Sequence, residues 1–282
     1  MTLHLDILLH ICDILAQDSD TESLKSCALV CSQLAVVCQS HLFACVTLLV
    51  DSRDRSPKTY QLQKVLKANP KLGTYIKDLR ISFSRSSYWP YPTDPAVAPI
   101  LSYCTNVTSF KVKAVLSHRQ YRGMWPKAVP RDTSAALESI IYSPALARLK
   151  IGGFKFPSLA EFFSHCSSAL TELHLLERSF EENQQLQARG IKGEPIFLRK
   201  LSLKARSSEL LSFLLEAERE DGRLVFDFSQ LQDLSTSFNS ASVTQSINTL
   251  LFRCAAPLRT LEIEFTCKLT LLRFTVSLTP IT

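Results

Sequence analysis

Glycine is scarce in this chain, with seven residues in 282 and Gly152-Gly153 the one adjacent pair. A loop that wraps phosphate with its backbone needs several glycines close together, so the dinucleotide and nucleoside-triphosphate motifs are excluded. The H-E-x-x-H pattern of zinc peptidases and the G-x-S-x-G nucleophile turn are also missing. The six histidines are scattered, and the nine cysteines include no C-x-x-C pair. Structural zinc favours such tight pairs. These absences predict a non-catalytic protein with no metal and no cofactor.

Long apolar runs are lacking too. None reaches the roughly 18 uncharged residues that a membrane span requires. No basic stretch precedes the apolar start, and Asp6 interrupts it, which argues against a secretory signal. The expectation is a protein of the cytoplasm or nucleus, without membrane, whose cysteines stay as thiols.

Charge is present but unevenly spread. Residues 1–52 hold one lysine against six acids, and residues 53–131 hold fifteen lysines and arginines against three acids. The net charge of +6 is thus a property of one segment. That segment predicts an acidic partner.

The first fifty residues read as three short helices. Ile7, Leu8, Ile11, Ile14 and Leu15 have the spacing of one helical stripe. "QDSDTES" breaks the pattern, and Ser19 or Asp20 can cap a second helix bearing Leu24, Cys27 and Cys31. Ser32 can cap a third, bearing Leu34, Val37 and Cys38. Cys27 and Cys31 fall four residues apart on this reading, as small hydrophobes rather than ligands. Three such helices bury little surface alone and need a partner.

Leu3-His4-Leu5-Asp6-Ile7-Leu8-Leu9-His10-Ile11 resembles the opening of the F-box family, with His4 at the pattern's proline and Asp6 at its glutamate. "SCALVCSQLAVVCQSHLF" resembles the second half of that motif. The resemblance covers roughly residues 3–45 and implies docking on the Skp-type adaptor of a cullin ubiquitin ligase, while the rest of the chain selects a protein substrate. It also implies that Leu3, Ile7, Leu8, Ile11, Leu29, Val30, Leu42 and Phe43 are the adaptor-contact or folding residues.

From residue 76 another pattern recurs: apolar-x-x-apolar-x-apolar. It occurs at Ile76–Ile81, Val107–Val112, Leu146–Ile151, Leu170–Leu175, Leu198–Leu203 and Leu258–Ile263, with a poorer copy at Leu231–Thr236. The last two apolar positions alternate with one polar residue, as in a half-buried strand. Helical stretches such as "TYQLQKVLKANP", "SLAEFFSHCSSA", "SELLSFLLEAERE" and "TQSINTLLFRCAAP" lie between strands. The whole resembles irregular leucine-rich repeats. The asparagine that usually follows the strand is missing, and Ser84, Phe154, Arg178 and Thr266 stand near its place. The predicted fold class is α/β: an F-box-like helical domain over 1–48, then an irregular αβ leucine-rich-repeat solenoid over 49–282. The uncapped, apolar "CKLTLLRFTVSLTPIT" predicts either a truncated array or a last stretch that folds back.

In each copy the residue between the last two apolar positions should face away from the core. In order these are Arg80, Lys111, Lys150, His174, Ser202, Ser235 and Glu262. Two proline-rich, aromatic stretches near the basic end carry both tryptophans, Trp89 and Trp125. The substrate-binding candidates are therefore Arg80, Lys111, Lys150, His174, Trp89 and Trp125, gripping an acidic or phosphorylated segment. The alternative is a repeat scaffold for protein or nucleic acid that does not engage the ligase. No nucleic-acid-reading motif is present.

Overall fold

The structure, a computed structural model, describes residues 5–50, 56–83, 94–114, 130–153, 159–176, 191–204, 208–238, 242–254, 256–266 and 271–277. Helices α1 (Leu5–Gln17), α2 (Thr21–Ala28) and α3 (Ser32–Leu42) open it. Asp20 caps α2, its carboxylate accepting from the Ser23 amide at 3.1 Å. Helix α3 starts differently from the sequence reading. Ser32 is already helical, Cys31 is the capping residue, and no side chain closes that end. Cys31 is thus off α2, so it shares no helix face with Cys27.

Then come β1 (Cys45–Val50), α4 (Pro57–Ala68), a 3-10 turn over Pro70–Tyr75 and β2 (Asp78–Phe83). Pro57 sits at the start of α4, where its missing N–H costs nothing. Next are α5 (Val97–Tyr103), β3 (Ser109–Ala114), α6 (Arg131–Ile141), β4 (Arg148–Gly152), α7 (Leu159–Ser164) and β5 (Glu172–Leu176). The remainder is β6 (Ile196–Phe197), β7 (Lys200–Lys204), α8 (Ser208–Glu216), β8 (Phe226–Asp227), β9 (Asp233–Phe238), α9 (Ser242–Cys254), β10 (Thr260–Thr266) and β11 (Leu271–Ser277).

Among the described residues nine strands form one sheet in the order β1-β2-β3-β4-β5-β7-β9-β10-β11, each beside its predecessor in the chain apart from the skipped β6 and β8. Every pairing is parallel except β10–β11. Strands β6 and β8 make a separate parallel pair. The protein is therefore mixed α/β with a mostly parallel sheet. All seven apolar-x-x-apolar-x-apolar copies end in a strand of this sheet.

The first apolar position of every copy is buried: Ile76, Val107, Leu146, Leu170, Leu198, Leu231 and Leu258. The fourth and sixth positions share one face with Leu48 and Val50, and from β2 to β9 they are buried. Side chains of α4 to α9 join them in one continuous cluster. Because every one of these helices contributes to that cluster, the helices cover one face and leave the other open. At the far edge Leu261 and Ile263 are only half-buried, and Phe274 and Val276 of β11 are exposed.

A repeated backbone contact holds the copies in step. The carbonyl of Ala44 accepts from the amides of both Lys77 and Asp78, at 2.9 Å each. The Lys77 carbonyl does the same for Thr108 and Ser109, and Thr108 for Ala147 and Arg148. Ala147, Thr171, Arg199 and Gln232 continue the series, each accepting from two amides of the next copy. One main-chain oxygen with two lone pairs satisfies two donors. This ladder needs no side chain. It accounts for how copies without an asparagine stay in register, although Ser84, Phe154 and Arg178 themselves lie outside the described residues.

The helical unit has its own small core of Cys12, Leu24, Leu34 and Cys38, against which Leu8, Leu15, Cys27 and Leu42 pack. Phe43 packs on the large cluster instead. Strand β1, which straddles the expected boundary at residue 48, is the first strand of the sheet.

Candidate functional site

Two surfaces are built by this arrangement. The first lies on the helical unit. The sequence reading puts Ile7, Leu8, Ile11, Ile14 and Leu15 on one stripe, but the structure divides them. Leu8 and Leu15 turn inward around Cys12, which is 1% exposed. Ile7, Ile11 and Ile14, at i, i+4 and i+7, turn outward and are 52%, 40% and 43% exposed. Helix α1 is thus apolar on two adjacent stripes, and only one is used internally.

Leu29 and Val30, just after α2, are the most exposed apolar pair of the unit, at 88% and 72%. They follow the last turn of α2, where the Leu29 and Val30 amides bond back to Ser26 and Cys27. Of the eight adaptor candidates, Ile7, Ile11, Leu29 and Val30 are free to meet a partner. Leu8 and Leu42 support the small core, and Phe43 the large one. Leu3 lies outside the described residues. Ile14 and Val36 are exposed as well and were not among the candidates. The one-residue offset between two stripes was the signal for Ile14. No pattern in the sequence pointed to Val36.

The unit is tied together away from that surface. His41 Nε2 lies 2.9 Å from Asp13 Oδ1, joining α3 to α1. The Cys12 and Cys38 sulfurs are 3.5 Å apart in the small core. Burial, with the Cys12 thiol next to it, pushes the Cys38 thiol up to about 12. It is therefore protonated at neutral pH and packs as a small hydrophobe. Among the described residues no three metal-ligating side chains come together.

The second surface is the open face of the sheet. Here strand register brings the expected row together. Arg80 lies opposite Lys111, Lys111 opposite Lys150, and Lys150 opposite His174. His174 then faces Ser202, Ser202 faces Ser235, and Ser235 faces Glu262. Residues separated by 182 positions in the chain thus lie in one line across the strands. Neighbours are spaced at about 4.8 Å. Trp89 and Trp125 lie outside the described residues.

Lys113, Arg148 and Lys200 extend the row on either side, two positions away along their strands. The period-2 alternation of a strand already pointed to them. Some of the charge is matched locally. Arg80 Nη2 lies 2.6 Å from Asp78 Oδ2 on its own strand, and Lys200 Nζ is 3.7 Å from Asp233 Oδ2. No such partner meets Lys111 or Lys113 among the described residues.

His174 records the potential of this face. Its side chain is 19% exposed, and burial first, then Lys150 and Lys200, lower its pKa to about 4. Glu172 Oε2 lies within ion-pair range at 3.9 Å, but burial and the two lysines prevail. The imidazole is therefore neutral at pH 7. In the unfolded chain the same ring takes a proton near its ordinary 6.5. The unfolded state then binds more protons between these values, so the His174 contribution to stability is full above about pH 6.5 and lost as the pH falls towards 4. Denaturant midpoints measured from pH 7 to pH 4 should fall less steeply for His174→Asn than for the parent chain.

Compared with known proteins, the chain matches no family model, no curated protein and no solved structure. No helix among the described residues is long and apolar enough to cross a membrane.

Proposed function

We propose that the chain is the substrate-recognition subunit of a Skp–cullin–F-box type ubiquitin ligase. The helical unit docks on the Skp-type adaptor, and the open face of the repeat array, read as an irregular leucine-rich-repeat solenoid, holds a protein substrate. The observation that carries this reading is the outward stripe Ile7–Ile11–Ile14 together with Leu29 and Val30. A helical unit with a closed core of its own has no internal use for so much exposed apolar surface. On this reading the subunit performs no chemistry. It brings a substrate close to a ubiquitin-charged enzyme, and the compartment is cytoplasmic or nuclear.

Support for the solenoid reading comes from strands ordered as in the chain, helices on one side only, and the same bifurcated carbonyl contact at each copy. Support for an acidic or phosphorylated substrate comes from Arg80, Lys111 and Lys150 standing side by side. A phosphate placed there would also draw a proton onto His174.

Co-precipitation with a purified Skp-type adaptor tests the docking half. Cross-linking of captured partners tests the other. The variant Arg80→Glu, Lys111→Glu, Lys150→Glu should keep the adaptor and lose the substrate by at least about tenfold. A parent chain that captures no adaptor, yet still retains a partner through the sheet, would instead be a scaffold outside the ligase.

A further inference from the structure

The small core of the helical unit holds two thiols in contact. The Cys12 and Cys38 sulfurs lie 3.5 Å apart, on residues 26 positions apart in the chain. Cys12 is 1% exposed and Cys38 0%, and with Leu24 and Leu34 they are the four buried residues of that core. Half of this core is therefore sulfur. Asp13 follows Cys12 on α1, His41 lies one turn beyond Cys38 on α3, and their side chains meet at 2.9 Å. The two helices are thus held close along this stretch, by a hydrogen bond at the surface and by thiols within.

We infer that Cys12 and Cys38 form a redox latch, in which a disulfide between them ties α1 to α3 and holds the helical unit shut. No side chain fits between sulfurs at this distance, so bond formation asks only a small approach of the two helices. In a reducing compartment the pair rests as thiols. The oxidant is a disulfide of low molecular weight. One protein sulfur, as thiolate, attacks it, the external S–S bond breaks, and one half leaves and takes up the proton that the protein thiol lost. The second protein sulfur, also as thiolate, attacks the mixed disulfide, closes the Cys12–Cys38 bond and releases the other half as a thiol. Two protein thiols are oxidised and one external disulfide is reduced to two thiols. The latch is independent of what docks on the unit, because Cys12 faces inward and the stripe Ile7–Ile11–Ile14 is left outside.

Neither sulfur meets solvent while the unit is closed, and thiolate is scarce there. Attack therefore waits for α1 to lift from α3. A core of four buried residues opens locally at far lower cost than the large cluster behind it. Once the bond is made, that opening is restricted. A reductant then reaches the bond more slowly than the oxidant reached the thiols.

The test incubates the full chain with oxidised glutathione, alkylates the remaining thiols and maps the peptides by mass spectrometry. The expected product is a chain lighter by two hydrogens with Cys12 joined to Cys38. Amide hydrogen exchange in α1 and α3 should slow at least about tenfold, since the bond closes a loop of the opened state. Dithiothreitol should abolish the gain, and Cys38→Ala should never acquire it. Leu24→Ala loosens the same core without touching sulfur, and should form the bond at least about fivefold faster.

Recovery of Cys12 and Cys38 as separately alkylated residues, while circular dichroism shows the chain folded, overturns the inference. The pair is then packing alone. A bond from either to Cys27 or Cys31 instead overturns it too, as does a Cys12–Cys38 bond that leaves α1 and α3 exchanging as fast as before. A Leu24→Ala chain that forms the bond no faster removes the opening step on which the latch depends.

Discussion

A chain carrying Ile11→Glu and Leu29→Glu is expected to lose capture by a Skp-type adaptor by at least about 100-fold, a change on the order of 3 kcal/mol, with its unfolding temperature nearly unchanged. Leu29 is 88% exposed in the chain alone and Ile11 40%, so glutamate costs little at the first and modestly at the second. In an interface the same positions would be dry. A charge buried without a partner is penalised heavily, and the apolar area of each side chain is lost as well. The comparison variant is Leu34→Ala. Leu34 is 3% exposed and belongs to the small core with Cys12, Leu24 and Cys38. It should weaken adaptor capture only by loosening the helices, and its unfolding temperature should fall. An Ile11→Glu, Leu29→Glu chain that still captured the adaptor with unaltered affinity would remove the docking proposal.

Phe163→Ala should be the most damaging single substitution in the helical layer over the sheet. Its ring is fully buried on α7. It stands edge-on to Phe162 at 5.0 Å and to Phe226 at 4.9 Å, and stacks on Phe213 at 6.1 Å. Removal leaves a cavity among rings that belong to three different parts of the chain and cannot collapse together. The expected loss is about 3–5 kcal/mol, against a total stability of about 5–15 kcal/mol for a typical domain. Urea unfolding followed by circular dichroism should show the midpoint falling sharply, or no folded protein at all. Lys111→Glu, on the open face, should stay within about 0.5 kcal/mol of the parent. A tolerant Phe163 would mean that the helix side of the sheet is not the tightly packed layer described above.

The contrast between these two variants follows the part of the fold that a linear reading captures well. Leu149 or Leu173 announces its side of the sheet because a strand alternates with a strict period of two. A residue between two buried ones must then point the other way, which is why the sequence alone places Lys150 and His174 on the opposite face. Helices were less legible. Helices α5 and α6 begin at the ends of proline-rich stretches and are not among the helical stretches that the sequence pattern picks out; a seven-residue helix such as Val97–Tyr103 offers too few turns for a period to show. Strands β6 and β8 have two residues each and carry no pattern.

The helical unit misled the reading in a more instructive way. Ile7, Leu8, Ile11, Ile14 and Leu15 do occupy one broad arc of α1. Which part of that arc turns inward depends on Leu24, Leu34 and Cys38, which arrive from α2 and α3. Periodicity reports an apolar surface but not what covers it. The functional content of the unit is the part left uncovered.

Composition and spacing alone settled the mixed α/β class, the positions of the repeated strands and the side of the sheet on which each of their residues lies. These follow from local sterics, which act between neighbours in the chain. Tertiary structure decided which α1 stripe stays outside. It also decided that Arg80, Lys150 and Glu262, far apart in sequence, share one straight row. That alignment depends on every intervening pair of strands keeping its register, and the register comes from stacking one copy's core and main-chain carbonyl on the next.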